Sequence, residues 1–87
     1  MRRDKVAMLL DILEVVYKEG KAKPTHIMYK ANLSHKLLKS YISELESNGI
    51  LEEENLNGKR YIKITNKGKI FLSQLRKMRR FMESFGL

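Results

Sequence analysis

Three observations predict a mainly α (α+β) fold in which two closely joined helices are followed by a β-hairpin and a long final helix. Residues 24–51 show the pattern of a short helix, a three-residue turn and a longer helix ending at Gly49. Asn57-Gly58 separates two short runs of strand character, a strong short-range hairpin signal. From residue 70 to residue 85, apolar residues recur at helical spacing.

The chain opens with a short polar lead, Arg2, Arg3, Asp4 and Lys5, in which Asp4 is a candidate N-cap. Val6, Leu9, Leu10, Ile12, Leu13, Val16 and Tyr17 then describe an amphipathic helix that ends near Gly20. A core face explains this stripe most simply; a dimer seam through Val6, Leu9, Leu13 and Val16 is the less common arrangement. Residues 21–23 have room for a single-bridge strand. Thr25 is expected to cap the next helix with Pro24 just outside it, while Ile27, Met28 and Ala31 share one face. Asn32 tolerates the left-handed conformation that stops a helix, Leu33 fills the turn, and Ser34 caps the longer helix after it. In that longer helix Leu37, Leu38, Tyr41, Ile42 and Leu45 are expected to form one apolar stripe, with Lys36, Lys39, Ser40, Ser43 and Ser47 opposite. Two helices joined so tightly make a helix-turn-helix unit.

Charge along its second helix runs against the helix dipole. Lys36 and Lys39 sit near the positive N-terminal end, and Glu44 and Glu46 near the negative C-terminal end. Each is unfavourable by about 0.3–1 kcal/mol before screening. A local rule broken without compensation often marks function. The pattern suits a helix whose N-terminal half meets phosphates in a major groove while its C-terminal half points away. A solvated face that happens to hold two lysines explains it as well.

After Gly49, residues 50–54 and 60–64 are expected to pair as strands around Asn57-Gly58, making a wing beside the helix-turn-helix. A two-residue turn sets Glu52 opposite Lys63 and Leu51 opposite Ile64. Lys59, Arg60 and Lys63 are the wing's phosphate candidates. Glu52, Glu53 and Glu54 either pair with those cations or hold the first strand away from phosphate. Thr65 caps the last helix, whose Phe71, Leu75, Met78, Met82 and Phe85 repeat at four, three, four and three residues, a heptad seam suited to dimerisation. At about 20 residues this helix is roughly 30 Å long, more than backing a wing requires. Its distal half is therefore expected to leave the domain; the alternative is that the whole stripe folds back as core. Gly68 near its start weakens it slightly.

With 87 residues the chain forms one small domain whose core is marginal, so a dimer is expected. There is no cysteine, which excludes disulfides and thiolate metal sites. No apolar run is long enough to span a membrane, and the N-terminal stretch turns acidic at Asp11 and Glu14 instead of reaching a signal cleavage site. A cytoplasmic, nucleoid-associated protein is the expectation. Formal net charge is +8, and from residue 55 to residue 82 there are nine basic residues and no acidic one. Such asymmetry points to a polyanionic partner, nucleic acid before an anionic membrane surface. His26 and His35 are the only histidines, and no acidic pair stands at ligand spacing on a common helix face, so no metal or other cofactor is expected. Neither a nucleophile beside a base nor a phosphate-binding glycine loop is present, and no small-molecule ligand is inferred. The sequence contains no enzyme signature.

The run Thr25-His26-Ile27-Met28-Tyr29-Lys30-Ala31-Asn32-Leu33-Ser34, with Tyr41-Ile42, Gly49-Ile50 and Tyr61-Ile62-Lys63-Ile64-Thr65-Asn66-Lys67-Gly68, resembles archaeal winged helix-turn-helix proteins. That group includes small dimeric DNA-binding proteins of crenarchaea. The likeness covers residues 4–82, and its segment from Ile27 to Ser34 is the more specific part. It implies a winged helix-turn-helix at residues 1–66 and a dimerisation helix at residues 67–87 that pairs as an antiparallel coiled coil. It also implies DNA binding through the helix beginning near Ser34 and through the wing. Ending at Leu87, the chain has a shorter terminal helix than the long-helixed members. Related archaeal domains act as gene-specific regulators.

The expected partner is double-stranded DNA, met by His35, Lys36, Lys39, Ser40 and Ser43 of the recognition helix and by Lys59, Arg60 and Lys63 of the wing. For His35, an ordinary surface histidine is the commoner explanation. A transcriptional regulator and an architectural, chromatin-type protein both fit. The exposed helix face has no Arg, Asn or Gln, the usual bidentate partners of guanine and adenine, which leans toward low sequence specificity. A protein-interaction winged helix is the alternative from another class; the acidic strand favours it and the basic second half disfavours it.

Overall fold

A computed structural model of the chain describes residues 4–87; the basic lead at residues 2 and 3 lies outside them. The elements run α1 (Lys5–Glu19), α2 (Pro24–Lys30), α3 (His35–Ser47), β1 (Leu51–Leu56), β2 (Lys59–Ile64) and α4 (Asn66–Ser84).

Local chemistry sets most of the boundaries. Asp4 Oδ1 accepts the Ala7 N–H at 2.8 Å, fixing the start of α1. The start of α2 differs from expectation: Lys23 holds the cap position and Pro24 is the first helical residue, where a missing N–H loses nothing. Thr25 therefore lies inside α2 and does not cap it. Asn32, at φ 53°, turns the chain out of α2, and the Leu33 N–H closes back onto the Met28 carbonyl at 3.0 Å. Ser34 Oγ then accepts the Leu37 N–H at 3.1 Å and starts α3. The same closure ends α3, with Gly49 at φ 72° and the Ile50 N–H on the Leu45 carbonyl at 2.9 Å.

The hairpin has the expected register, Leu51 opposite Ile64 and Glu52 opposite Lys63, and its strands extend to Leu56 and Lys59 at the turn. Asn57 and Gly58 both have positive φ, 51° and 78°, the requirement of the tight turn whose twist matches the strands. Ala22 adds a single bridge beside β2, exchanging two backbone bonds with Ile62 at 2.9 and 2.8 Å.

The core gathers Ile12, Leu13 and Val16 of α1, Ile27 of α2, Leu51 and Ile62 of the hairpin and Leu72 of α4. Leu38, Ile42 and Leu45 attach α3 to it. Leu37, expected in that stripe, is instead 37% exposed. It stands about 100° around the helix from Leu38, beyond the width the core covers. Among the described residues no polar or charged side chain is buried.

One junction orients α4 against the wing. The Thr65 hydroxyl accepts the Gly68 N–H at 2.9 Å and lies 2.6 Å from the Gly49 carbonyl, to which it donates. The Thr65 N–H bonds the Ile50 carbonyl at 3.0 Å. A Cβ at position 68 would collide with that same Ile50 carbonyl and with Ile64 Cγ1. Gly68 is thus what lets α4 approach the base of the wing. Arg76 secures the other side of α4, with its guanidinium on Glu14 at 2.5 Å and over the Tyr17 ring at 5.5 Å.

Candidate nucleic-acid interface

The exposed surface of α3 divides into two faces. Lys36, Ser40, Ser43 and Ser47 point away from the core formed by Leu38, Ile42 and Leu45, at the angles that a turn of 3.6 residues dictates. His35 and Lys39 stand on the adjoining flank, where with Ser43, Glu46 and Arg60 they rim a groove of about 420 Å³. Pro24, Thr25 and Met28 of α2 form its far wall, and Leu38 and Ile42 contribute apolar surface. Of the residues expected to meet DNA, His35, Lys39, Ser43 and Arg60 therefore come together in one concavity. Lys36 and Ser40 are exposed beside it on the same helix, and Lys59 is exposed at the wing tip.

Ion pairing separates cations already neutralised from those that are not. Arg60 makes a two-pronged contact with Glu53, Nε to Oε1 at 2.8 Å and a terminal nitrogen to Oε2 at 3.1 Å. Lys63 lies 3.6 Å from Glu52 and 3.9 Å from Glu54, and Lys21 holds Glu54 at 2.9 Å. All three wing glutamates thus face cations of their own chain. Hydrogen bonding to Arg60 holds the Glu53 carboxyl below the usual carboxylate range, and the bond to Lys21 does the same for Glu54. Lys36, Lys39 and Lys59 have no carboxylate within ion-pair distance among the described residues. The last turn of α3 carries Glu44, which takes Lys5 of α1 at 2.8 Å. That bond raises the Lys5 pKa and ties α3 to α1.

Glu46 stood out in the sequence only as a charge against the dipole of α3, with no sign of what it meets. Half-buried in the groove, it has its pKa raised first by burial and then by the charge of Glu53, against the opposing pull of Arg60. The two glutamates are seven positions apart and meet only because α3 packs against β1, so no local pattern signals the pair.

The seam residues of α4 divide between the domain and its surface. Leu75 is 7% exposed and enclosed by the domain's own core, while Phe71 is half-buried against it. Met78, Met82 and Phe85 remain exposed together with Phe81, whose ring packs on Phe85 at 5.0 Å between centroids. Among the described residues no group of three or more His, Asp or Glu side chains could hold a metal ion, and no helix is long and apolar enough to cross a membrane.

Comparison with known proteins agrees with this geometry. Sso10a-2, a DNA-binding protein from Sulfolobus solfataricus, superposes with a TM-score of 0.84 at 24% identity, over 95% of this chain and 85% of that one. The transcriptional regulator BldR from the same organism superposes at 0.78 with 15% identity, over 90% of this chain and 58% of that one. The YusO protein from Bacillus subtilis gives 0.79 with 16% identity, over 92% and 59%. At these identities the likenesses establish the fold. No curated protein sequence matches. The model of the family described as "Winged helix-turn-helix" matches residues 2–83, and the chain belongs to that family.

Proposed function

We propose that the protein binds double-stranded DNA as a homodimer, placing the exposed face of α3 in the major groove and the wing tip against the backbone. The observation that carries this reading is the charge pattern of α3 and the wing. Lys36, Lys39 and Lys59 are exposed and lack carboxylate partners among the described residues, on the elements that this fold presents to a duplex. The two Sulfolobus proteins of the same fold, one a DNA-binding protein and one a transcriptional regulator, support it. Glu44 and Glu46, at the far end of α3, favour an orientation in which only its N-terminal half approaches phosphate. Exposed Met78, Met82 and Phe85 support pairing of two α4 helices beyond Leu75 as an antiparallel coiled coil, which would give one dimer two DNA-binding faces. Such a protein acts where the nucleoid is, in the cytoplasm.

Between regulator and architectural protein, the side chains favour the latter. The outward face of α3 offers lysine, histidine and serine, which contact phosphate readily, and none of the Arg, Asn or Gln side chains that read guanine and adenine with two hydrogen bonds. The protein-interaction alternative drew on the acidic strand, and the pairing of Glu52, Glu53 and Glu54 with Lys21, Arg60 and Lys63 removes that support. The deciding experiment compares affinity for a random duplex with affinity for the best duplex recovered from a selected pool. Affinities within tenfold of each other are expected. A ratio of a thousand or more would make the protein a sequence-reading regulator, and no binding to either duplex at low salt would remove DNA as the partner.

A further inference from the structure

Asn66, Lys69, Ser73, Lys77 and Arg80 of α4 follow one another at three, four, four and three residues, so they fall in one strip about 80° wide and about 21 Å long. All five are exposed. Of the carboxylates lining the cleft that Arg80 shares with α1, Glu83 is held by Arg79 at 3.6 Å and Glu14 by Arg76, and Asp11 makes no ion pair with Arg80. Lys69, Lys77 and Arg80 have no ion-pair partner among the described residues. Cations crowded on one helix face, with Lys77 and Arg80 three residues apart, destabilise an isolated helix, so nothing in the stability of α4 accounts for the strip. It is also distinct from the groove beside α3, since none of its residues lines that groove, although Asn66 and Lys69 share a cleft with Glu52 and Lys63 at the base of the wing. Around the helix it lies about 150° from Met78, Met82 and Phe85, so pairing through those residues leaves it open to solvent.

We propose that this strip is a second surface for the phosphate backbone of double-stranded DNA, acting independently of the α3–wing face. Its chemistry is that of backbone contact: two ammonium groups, a guanidinium, a hydroxyl and an amide, in a line with no apolar residue among them. Cations on one face of α4 with exposed apolar residues on another is also the pattern of an interfacial membrane helix, but in the proposed dimer Met78, Met82 and Phe85 are covered by the partner's α4, which leaves the strip flanked only by Ile70 and Phe81. The choice of duplex DNA as the polyanion rests on the proposed function; the existence of the surface does not.

The test uses the full chain and three variants: the strip variant Lys69→Ala/Lys77→Ala/Arg80→Ala, the groove variant Lys36→Ala/Lys39→Ala/Lys59→Ala, and their combination. Binding of a short labelled duplex is measured across a salt series, with circular dichroism to establish folding. The strip variant should fold and lose about 2.7 per protomer from the slope of log affinity against log salt. The groove variant should retain residual salt-dependent binding that the combined variant lacks. An unchanged slope in the strip variant overturns the proposal, as does complete loss of binding in the groove variant alone. If the strip variant keeps full DNA affinity but loses binding to phosphatidylserine vesicles that the wild type shows, the surface belongs to membranes and the proposal falls. If the groove variant binds as wild type while the strip variant fails, the strip is upheld and the α3–wing reading is what is lost. Should the alanine strip variant lose helicity, glutamine at the same three positions keeps the side-chain stems and gives the same readout.

Discussion

Replacing Gly68 with alanine should destabilise the protein, against the usual sign for glycine in a helix. In an open helical position Gly→Ala stabilises by about 0.8–1 kcal/mol. Here the added Cβ meets the Ile50 carbonyl and Ile64 Cγ1, and the first is backbone that cannot rotate aside. Relief requires α4 to lift from the base of the wing. That movement strains the Thr65 hydroxyl between the Gly49 carbonyl and the Gly68 N–H, an arrangement comparable to an N-cap worth about 1 kcal/mol. It also loosens Leu72 and Leu75, both buried against α1 and the hairpin. Overpacking of this kind is unfavourable by about 1–3 kcal/mol, and adding the cap while subtracting the helix-propensity gain leaves a net loss of similar size. For a domain of this length each kcal/mol moves Tm by about 4–8 °C, so a fall of roughly 5–20 °C is expected in a thermal melt followed by circular dichroism. Urea melts should show a lower midpoint at unchanged slope. A variant as stable as wild type, or more so, would refute the close approach of α4 to Ile50 and the orientation of α4 that depends on it.

Two further predictions address the seam and the groove. Met78→Lys should give a folded monomer, because Met78 is 41% exposed in the single chain and is no part of its core, yet a lysine in an apolar seam is unfavourable by several kcal/mol. DNA affinity should fall despite the added charge, since the linkage between two binding faces is lost. An unchanged dimer by sedimentation would move the seam off this face, and an unfolded chain would contradict the exposure of Met78. Glu46→Gln should raise both stability and DNA affinity at neutral pH. A folded-state pKa above the unfolded value means that ionising Glu46 opposes folding above the folded pKa, and that this opposition disappears below the unfolded one. The advantage of the variant should therefore shrink as pH falls through that window, and a pH-independent difference would show that the charge of Glu46 is not its cause.

Much of the fold was legible because short-range chemistry decides it. Ser34, Thr65 and Asp4 each cap the helix that begins beside them, and Asn32 and Asn57 adopt the positive φ that their type tolerates. The strand register is set by a two-residue turn. The features that were not legible depend on distance between elements. Gly68 appeared only as a weak helix former, because the Ile50 carbonyl that requires it is eighteen residues earlier in the chain. Leu37 fits a five-residue stripe on paper, yet the core is wide enough for Leu38, Ile42 and Leu45 with Tyr41 at the edge. The heptad seam read as continuous, but the domain's own core takes Leu75 and part of Phe71. The groove had the same limit: lysines and serines on α3 could be placed by periodicity, whereas the neutralisation of Arg60 by Glu53 and the nearness of Glu46 to that pair required the packed hairpin.

The central claim is that the unpaired cations of α3 and the wing tip, and not simply the net charge, hold duplex DNA. Measuring the salt dependence of binding for the groove variant beside Arg60→Ala tests it most directly. Loss of Lys36, Lys39 and Lys59 should flatten the slope by about 2.7 per protomer for every duplex alike, while Arg60→Ala, already paired with Glu53, should change it by well under one unit. Equal small effects from both variants would contradict the account, because charge would then act without regard to where the structure leaves it unpaired.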